Sequence, residues 1–359
     1  MQFVKSDKEK ELTPNQIRLR KIRYDPYRAK MQEYFEKAKA PGTVKLYLAA
    51  FERCEKWAEE LGVRVLPMDV DDLISYLICI SENIESYSAT KMARYGISYV
   101  HVMAGVPDPT KDPAVDLILE ASRRMWARPV KKARAMTTEI IKMLVDEILG
   151  QDVYRRWGTF KVSMTEWRTV VNIIIKFCFV ARNSDVLELR KTNFTFVKDL
   201  LHINFPKAKN DQFCEGSTTT FEARASKYCP VYLAAKYFER LGYGQNSNGF
   251  FLPKIEVKRL GRVKGQLVYT QKAIPNQHIS YKTCMFDRRK VLEKLGLPAK
   301  HFTEHSDRIG GVSQLLNNGA TIAEAQVHGR WRSEKTPLTY VQRSEQKKRE
   351  LSRLFFKKK

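Results

Sequence analysis

Apolar positions in the first third of the chain fall at helical intervals. From Val44 onward come Tyr47, Phe51, Cys54, Ala58 and Leu61, in steps of 3, 4, 3, 4 and 3, which is one face of a helix. Pro41-Gly42-Thr43 reads as its start, with Thr43 as the cap, and Gly62 as its end. A second helix is predicted through Val70, Leu73, Tyr76, Leu77 and Ile80. A third covers Ser88 to Met103 and is closed by Gly105-Val106-Pro107-Asp108-Pro109. A fourth runs from Pro113 to about Met125. Residues 26–126 therefore read as a compact all-α domain, preceded by a basic arm over 1–25 that lacks an apolar period.

The pattern then changes. Arg123, Arg124, Arg128, Lys131, Lys132 and Arg134 crowd a stretch that also holds Pro129, so residues 127–136 read as a basic interdomain linker. Thr137 or Thr138, followed by Glu139, would cap the next helix and open a second domain over 137–345. Trp167 to Val180 is almost continuously apolar and predicts a buried helix. Two β-prone runs, Leu200–Phe205 and Thr218–Phe221, flank the loop Lys207–Gly216 and predict a hairpin. Residues 243–280 carry Gly, Asn, Pro and Lys without a regular period and read as an irregular insertion, with helices resuming near Ser280. In the tail, 346–359, Leu351, Leu354 and Phe355 have helical spacing within a basic run. The fold class is mainly α with a small antiparallel sheet.

Charge adds a partner to this picture. Lys and Arg total 64 against 40 Asp and Glu, a formal net charge of +24, which points to a polyanion, with nucleic acid first. No segment approaches 18 consecutive apolar residues, and the first ten residues are polar and charged, so neither a membrane span nor a signal peptide is expected. Cys54, Cys79, Cys178, Cys214, Cys229 and Cys284 form no CxxC pair; they read as free thiols of a reducing, intracellular compartment, not as zinc ligands.

The candidate chemistry lies in the second domain. His305 and Arg308, in His305-Ser306-Asp307-Arg308, share one helix face and can touch the same phosphate. Arginine suits the holding of two phosphate oxygens, and Arg182 supplies a second, in Arg182-Asn183-Ser184-Asp185. Lys209 lies in the hairpin loop, with Lys207 two positions away. Trp331 stands nine residues before Tyr340.

Taken in order, Arg182-x-x-Asp185, the hairpin lysine, His305-Ser306-Asp307-Arg308-Ile309-Gly310, Trp331 and Tyr340 resemble the boxes of the tyrosine recombinase (phage integrase) family, with a Cre-like second box. The helical first domain and the segment 104–109 are similar to that family's core-binding (SAM-like) domain, and the resemblance covers about residues 26 to 345. It implies a mainly helical catalytic domain and a DNA recombinase or integrase that works through a 3′-phosphotyrosyl intermediate. In that reading Tyr340 is the nucleophile, and Arg182 and Arg308 hold the non-bridging oxygens. His305 donates to the phosphate or takes the tyrosine proton, and Lys209 protonates the leaving 5′-oxygen, with Lys207 the alternative. Trp331 donates its indole N–H and packs under the tyrosine; His328 competes for that slot, but the nine-residue spacing favours Trp331. Asp185 orients Arg182 or His305.

The resemblance further implies no metal and no other cofactor. Its partners are double-stranded DNA with a specific site, a homo-tetramer on paired sites, and a tail helix docking in trans. The basic linker is expected on the DNA backbone. Residues 105–109 and the Lys-rich insertion suggest a mobile element or virus, in a prokaryotic cytoplasm or a eukaryotic nucleus. A type IB topoisomerase, a telomere resolvase and a DNA-binding protein that no longer cuts are the alternatives.

Overall fold

The structure is a computed structural model that describes residues 18, 27, 30–129, 133–155, 161–206, 216–263, 266–342 and 345–355. The chain divides into two compact units, Met1–Lys131 and Lys132–Lys359.

The first unit is helical: α1 (Met31–Lys37), α2 (Pro41–Leu61), α3 (Val70–Ile84), α4 (Tyr87–Ala104) and α5 (Pro113–Met125). Phe51, Cys54, Leu73, Tyr76, Leu77, Ile97 and Val115 form its core, the faces that the 3/4 spacing predicts. One expectation fails. Thr43 is not a cap; Ala40 occupies the N-cap of α2 without a side-chain hydrogen bond, and Pro41 starts the helix. Proline's fixed φ and missing N–H suit the first helical position, so the helix begins without a polar cap. Gly62 ends it in the left-handed region, at φ 68°. His101 is fully buried, with Nε2 accepting from the Met68 N–H (3.1 Å) and Nδ1 facing the Ile97 carbonyl (2.8 Å).

In the second unit, Thr137 caps α6 (Thr138–Met143) by accepting from the Ile140 N–H. The central helix is α7 (Met164–Cys178), opened by a reciprocal Ser163–Glu166 capping box. It is buried without a break from Trp167 to Phe177, including the polar Arg168, Asn172 and Lys176. After the short α8 (Asn183–Leu187) comes a three-stranded antiparallel sheet of β1 (Phe194–Val197), β2 (Leu200–Phe205) and β3 (Ser217–Glu222), in that order. The register pairs Phe205 with Ser217 and Ile203 with Thr219. The sequence pattern left β1 unseen, because it is only four residues long and buries only Phe194.

The expected irregular insertion is a long antiparallel hairpin, β4 (Pro253–Val263) with β5 (Gln266–His278), following α9 (Pro230–Leu241). Register shifts at Pro253/Lys254 and Arg259/Gly261 break the two-residue alternation, so a real strand pair reads as patternless. The remaining helices are α10 (Tyr281–Lys294), α11 (Ser306–Asn317), α12 (Ile322–His328), α13 (Lys335–Tyr340) and α14 (Glu345–Leu354). Burial pushes the Cys54 and Cys178 thiols up to about 12, so both are inert. Among the described residues no helix is long and apolar enough to cross a membrane, and no group of three or more His, Cys, Asp and Glu is placed to hold a metal.

Helix α11 reaches α7 through glycine. A Cβ at Gly311 would overlap the carbonyl oxygen of Phe177, and one at Gly310 that of Met136. Gly311→Ala is therefore expected to destabilise the second unit by about 1–3 kcal/mol, because two backbones must part. Gly42→Ala, which meets nothing within 4 Å, is the control. Helix propensity makes it neutral or stabilising by up to about 1 kcal/mol. Urea unfolding of the two variants compares them, and equal stabilities would refute the tight approach.

Candidate active site

Four segments of the second unit converge. The first is the turn from α7 to α8. Val180 adopts φ 48°, a left-handed conformation that a β-branched residue keeps only under constraint. Arg182 follows at the N-cap of α8, half-buried, and its N–H donates to Asp185 Oδ2 (3.1 Å). The second is the start of α11, with His305 at the N-cap and Arg308 one turn inside. The third is the turn after α12 that carries Arg330 and Trp331. The fourth is α13, which ends on Tyr340.

Val180, Val312, Ala325 and Trp331 form a small apolar floor, and the Tyr340 ring packs against it. The centroids of Trp331 and Tyr340 are 5.7 Å apart, and those of His305 and Tyr340 6.4 Å. The Arg308 guanidinium lies 4.2 Å above the Trp331 ring and 6.0 Å from that of Tyr340. Its Nη1 donates to the Val180 carbonyl (2.6 Å) and its Nη2 to the Gly329 carbonyl (2.7 Å), so it ties the first turn to the third. Arg308 Nε and the Trp331 indole Nε1 are buried without a hydrogen-bond partner among the described residues. Such donors are costly unless something accepts from them.

The electrostatics have one sign. Burial first, then the neighbouring Arg182 and Arg330, push Arg308 down to about 9, against the weaker support of Asp185 and Tyr340. Burial pushes Arg330 down to about 10, with Arg182 adding to it. Three arginines thus meet where Asp185 is the carboxylate that offsets them. Buried cations that burial and mutual repulsion both disfavour are stabilised by an arriving anion. His305 keeps its ring half-exposed, 3.3 Å from the Glu304 carboxylate. His328 bonds the Cys178 carbonyl through Nε2 (2.7 Å), and burial lowers its pKa, so it is a neutral histidine engaged elsewhere.

The structure brings Arg182, His305, Arg308, Trp331 and Tyr340 of the sequence-derived set together. Asp185 is engaged by the Arg182 backbone and by Arg330, whose Nη2 stands 3.6 Å from Oδ2. Lys209 and Lys207 lie outside the described residues, as do Lys131 and Lys132. Arg123 and Arg124 pair with Glu120, and Arg128 with Glu85, all exposed; Arg134 is exposed and lies over the Phe302 ring.

Sequence reasoning missed Arg330, and it missed a buried network beneath α11. Asp307, fully buried, takes a bidentate bond from Arg288 (2.6 and 2.7 Å) and an ion pair from Lys176 (2.9 Å). Lys176 also donates to Asn183 Oδ1 (3.2 Å). The available signal was a lysine inside an otherwise apolar run, which needs a buried partner.

The fold is that of the tyrosine recombinases. The chain is similar to the solved XerH site-specific recombinase bound to palindromic difH substrate, with a TM-score of 0.55 and 15% identity over 88% of this chain and 80% of that one. It is also similar to a lambda integrase dimer bound to a COC' core site, with a TM-score of 0.53 and 10% identity over 93% of this chain and 82% of that one. By sequence it matches an integrase/recombinase xerD homolog of Selenomonas ruminantium, 21% identical over 317 residues, 87% of this chain and 85% of that protein. No family model matches the chain. The chain thus shares the tyrosine recombinase fold and is similar in sequence to one integrase/recombinase homolog.

Proposed function

We infer that this chain is a site-specific DNA recombinase that cuts and rejoins DNA strands through a covalent 3′-phosphotyrosyl link to Tyr340. The observation that carries the reading is the meeting of Tyr340, His305, Trp331 and Arg308 within ring-contact distance, in a pocket where buried cations outnumber carboxylates. A phosphodiester supplies the missing anion.

The chemistry follows from the groups present. The Tyr340 hydroxyl attacks phosphorus, its proton passing to His305 or to water. The bond from phosphorus to the 5′-oxygen breaks, and that oxygen takes a proton from an acid, for which Lys209, or Lys207, is the candidate. Negative charge grows on the non-bridging oxygens. Arg182, the unpartnered Nε of Arg308 and the indole N–H of Trp331 are the donors that meet it. Attack by a 5′-hydroxyl of another strand reverses each step. One phosphodiester is exchanged for another, so the reaction needs no external energy source.

The helical first unit is proposed as the core-binding half of a clamp, with helices of both units reading base edges and the basic linker on the backbone. A tetramer on two paired sites, the tail helix α14 docking on a neighbour, and a mobile-element or viral task complete the proposal. The free cysteines among the described residues support a reducing compartment. If Arg128 and Arg134 touch phosphates, alanine at each should weaken binding to all DNA sequences by a similar factor. Each should also lower the slope of log K against log salt by about 1. Filter binding over a salt series measures this, and unchanged slopes would exclude the contact.

The reading is tested by covalent trapping. The protein is mixed with a nicked duplex whose cleaved fragment diffuses away, and the adduct is digested and located by mass spectrometry. A nucleotide attached through its 3′-phosphate to the peptide holding Tyr340 is expected. Tight binding to the same DNA without any adduct would leave a DNA-binding protein that does not cut.

A further inference from the structure

Arg330 takes no part in the steps above, yet it binds more of the site's segments than a surface cation would. Its backbone is left-handed, at φ 57°, a conformation that a residue with a Cβ keeps only where its surroundings hold it. Its side chain is 7% exposed. Nη1 donates to the Phe179 carbonyl (3.2 Å), just before the Arg182 turn, and to Thr219 Oγ1 on β3 (3.1 Å). The guanidinium carbon lies over the ring of Phe205, the last residue of β2, 3.8 Å from its centroid. Nη2 stands 3.6 Å from Asp185 Oδ2, within Coulomb reach though beyond a hydrogen bond. Trp331 is the next residue in the chain.

We propose that Arg330 is a positioning residue, which fixes β2 at Phe205 and β3 at Thr219 against the Arg182–Asp185 turn and Trp331. The proposal rests on the recombinase reading. The two residues it grips, Phe205 at the end of β2 and Thr219 two residues into β3, flank the connection that carries Lys207 and Lys209. Fixing them sets where the candidate acid leaves the sheet. The side-chain type fits the task. A planar fork can donate to two acceptors and stack on an aromatic face at once, whereas an ammonium on a flexible stem does neither with fixed geometry. A displacement of about 1 Å in a catalytic group can lower a rate by about 100-fold.

The test compares wild type with Arg330→Met, Arg330→Lys and Thr219→Val on two suicide duplexes. One has an ordinary 5′-oxygen at the scissile bond. The other has a 5′-bridging sulfur, which leaves as a thiolate and needs no acid. With the oxygen substrate, Arg330→Met and Arg330→Lys are both expected to cleave about 10- to 100-fold more slowly than wild type. With the sulfur substrate both should come close to the wild-type rate, at unchanged DNA affinity. Thr219→Val removes one bond and keeps the side-chain volume at a buried strand position. It should show the same dependence on the leaving atom at a smaller size, and it carries the test if the Arg330 variants fail to fold. Rescue by lysine, an equal deficit on both substrates, or no deficit would each overturn the proposal. No adduct from wild type on either substrate would instead sink the recombinase reading itself.

Discussion

Tyr340→Phe is expected to abolish covalent attachment to DNA and to leave DNA binding within a few-fold of wild type. The substitution is expected to be so clean because the ring and the hydroxyl have separate jobs. The ring packs on Val180, Val312, Ala325 and Trp331, and phenylalanine keeps those contacts. Only the hydroxyl is lost, and with it the atom that would bond to phosphorus. Removing a covalent nucleophile lowers the rate by more than about 1,000-fold, with the residue of activity set by the remaining electrostatic groups. A denaturing gel reads the adduct, and a native gel with the same duplex reads binding. An adduct that persists in the variant would assign the nucleophile to another residue. Loss of binding together with the adduct would give Tyr340 a structural role in the floor of the pocket.

The legible part of the molecule and the hidden part differ for physical reasons. Helices with one apolar stripe announce themselves, as α2 and α4 do, because 3.6-residue periodicity survives in the sequence. The β4–β5 ribbon does not, since two register shifts scramble its alternation and few of its described side chains are buried. At the site, His305, Arg308, Trp331 and Tyr340 were readable because reactive residue types recur at fixed spacings. Arg330 was not. Beside Trp331 and Arg332 it is one more basic residue in a basic chain, and only the fold reveals that it is buried against Phe205 and Thr219. Asp185 was read as orienting Arg182 or His305; its carboxylate receives the Arg182 backbone N–H and also faces Arg330, which the sequence did not suggest. Spacing placed the residue, but spacing carries no information about a partner 145 positions away in the chain.

Asp307→Ala should produce the largest loss of stability among single substitutions near the site. Asp307 sits between His305 and Arg308 in sequence, yet it turns inward where they serve the pocket. Its carboxylate is the shared partner of Lys176 and Arg288, side chains that are 1% and 3% exposed. Removing one member of a buried ionic cluster strands the others. Here two cations would be left, at about 3–5 kcal/mol. For a unit of this size that lowers the midpoint of unfolding by on the order of 10 °C. Calorimetry can follow the transition, and a shift under about 2 °C would contradict the buried triad. Replacing all three members with leucine or methionine should recover much of the loss, because the penalty lies in unpaired charge.

The same group sets an acid limit. Burial alone would raise Asp307, but the charges and hydrogen bonds of Arg288 and Lys176 outweigh it and hold the carboxyl below its ordinary value of 3.8. A carboxyl lowered on folding contributes stability that is complete above its unfolded pKa and is lost as the pH falls through the folded one. The unit should therefore keep the triad's contribution at neutral pH and lose it only below about pH 4. In the Asp307→Ala chain that acid-dependent component should vanish. Because the triad holds the turn of helix between His305 and Arg308, acid should also release these two residues from each other. Covalent trapping, run down the same pH series, should then fail no later than the calorimetric transition does.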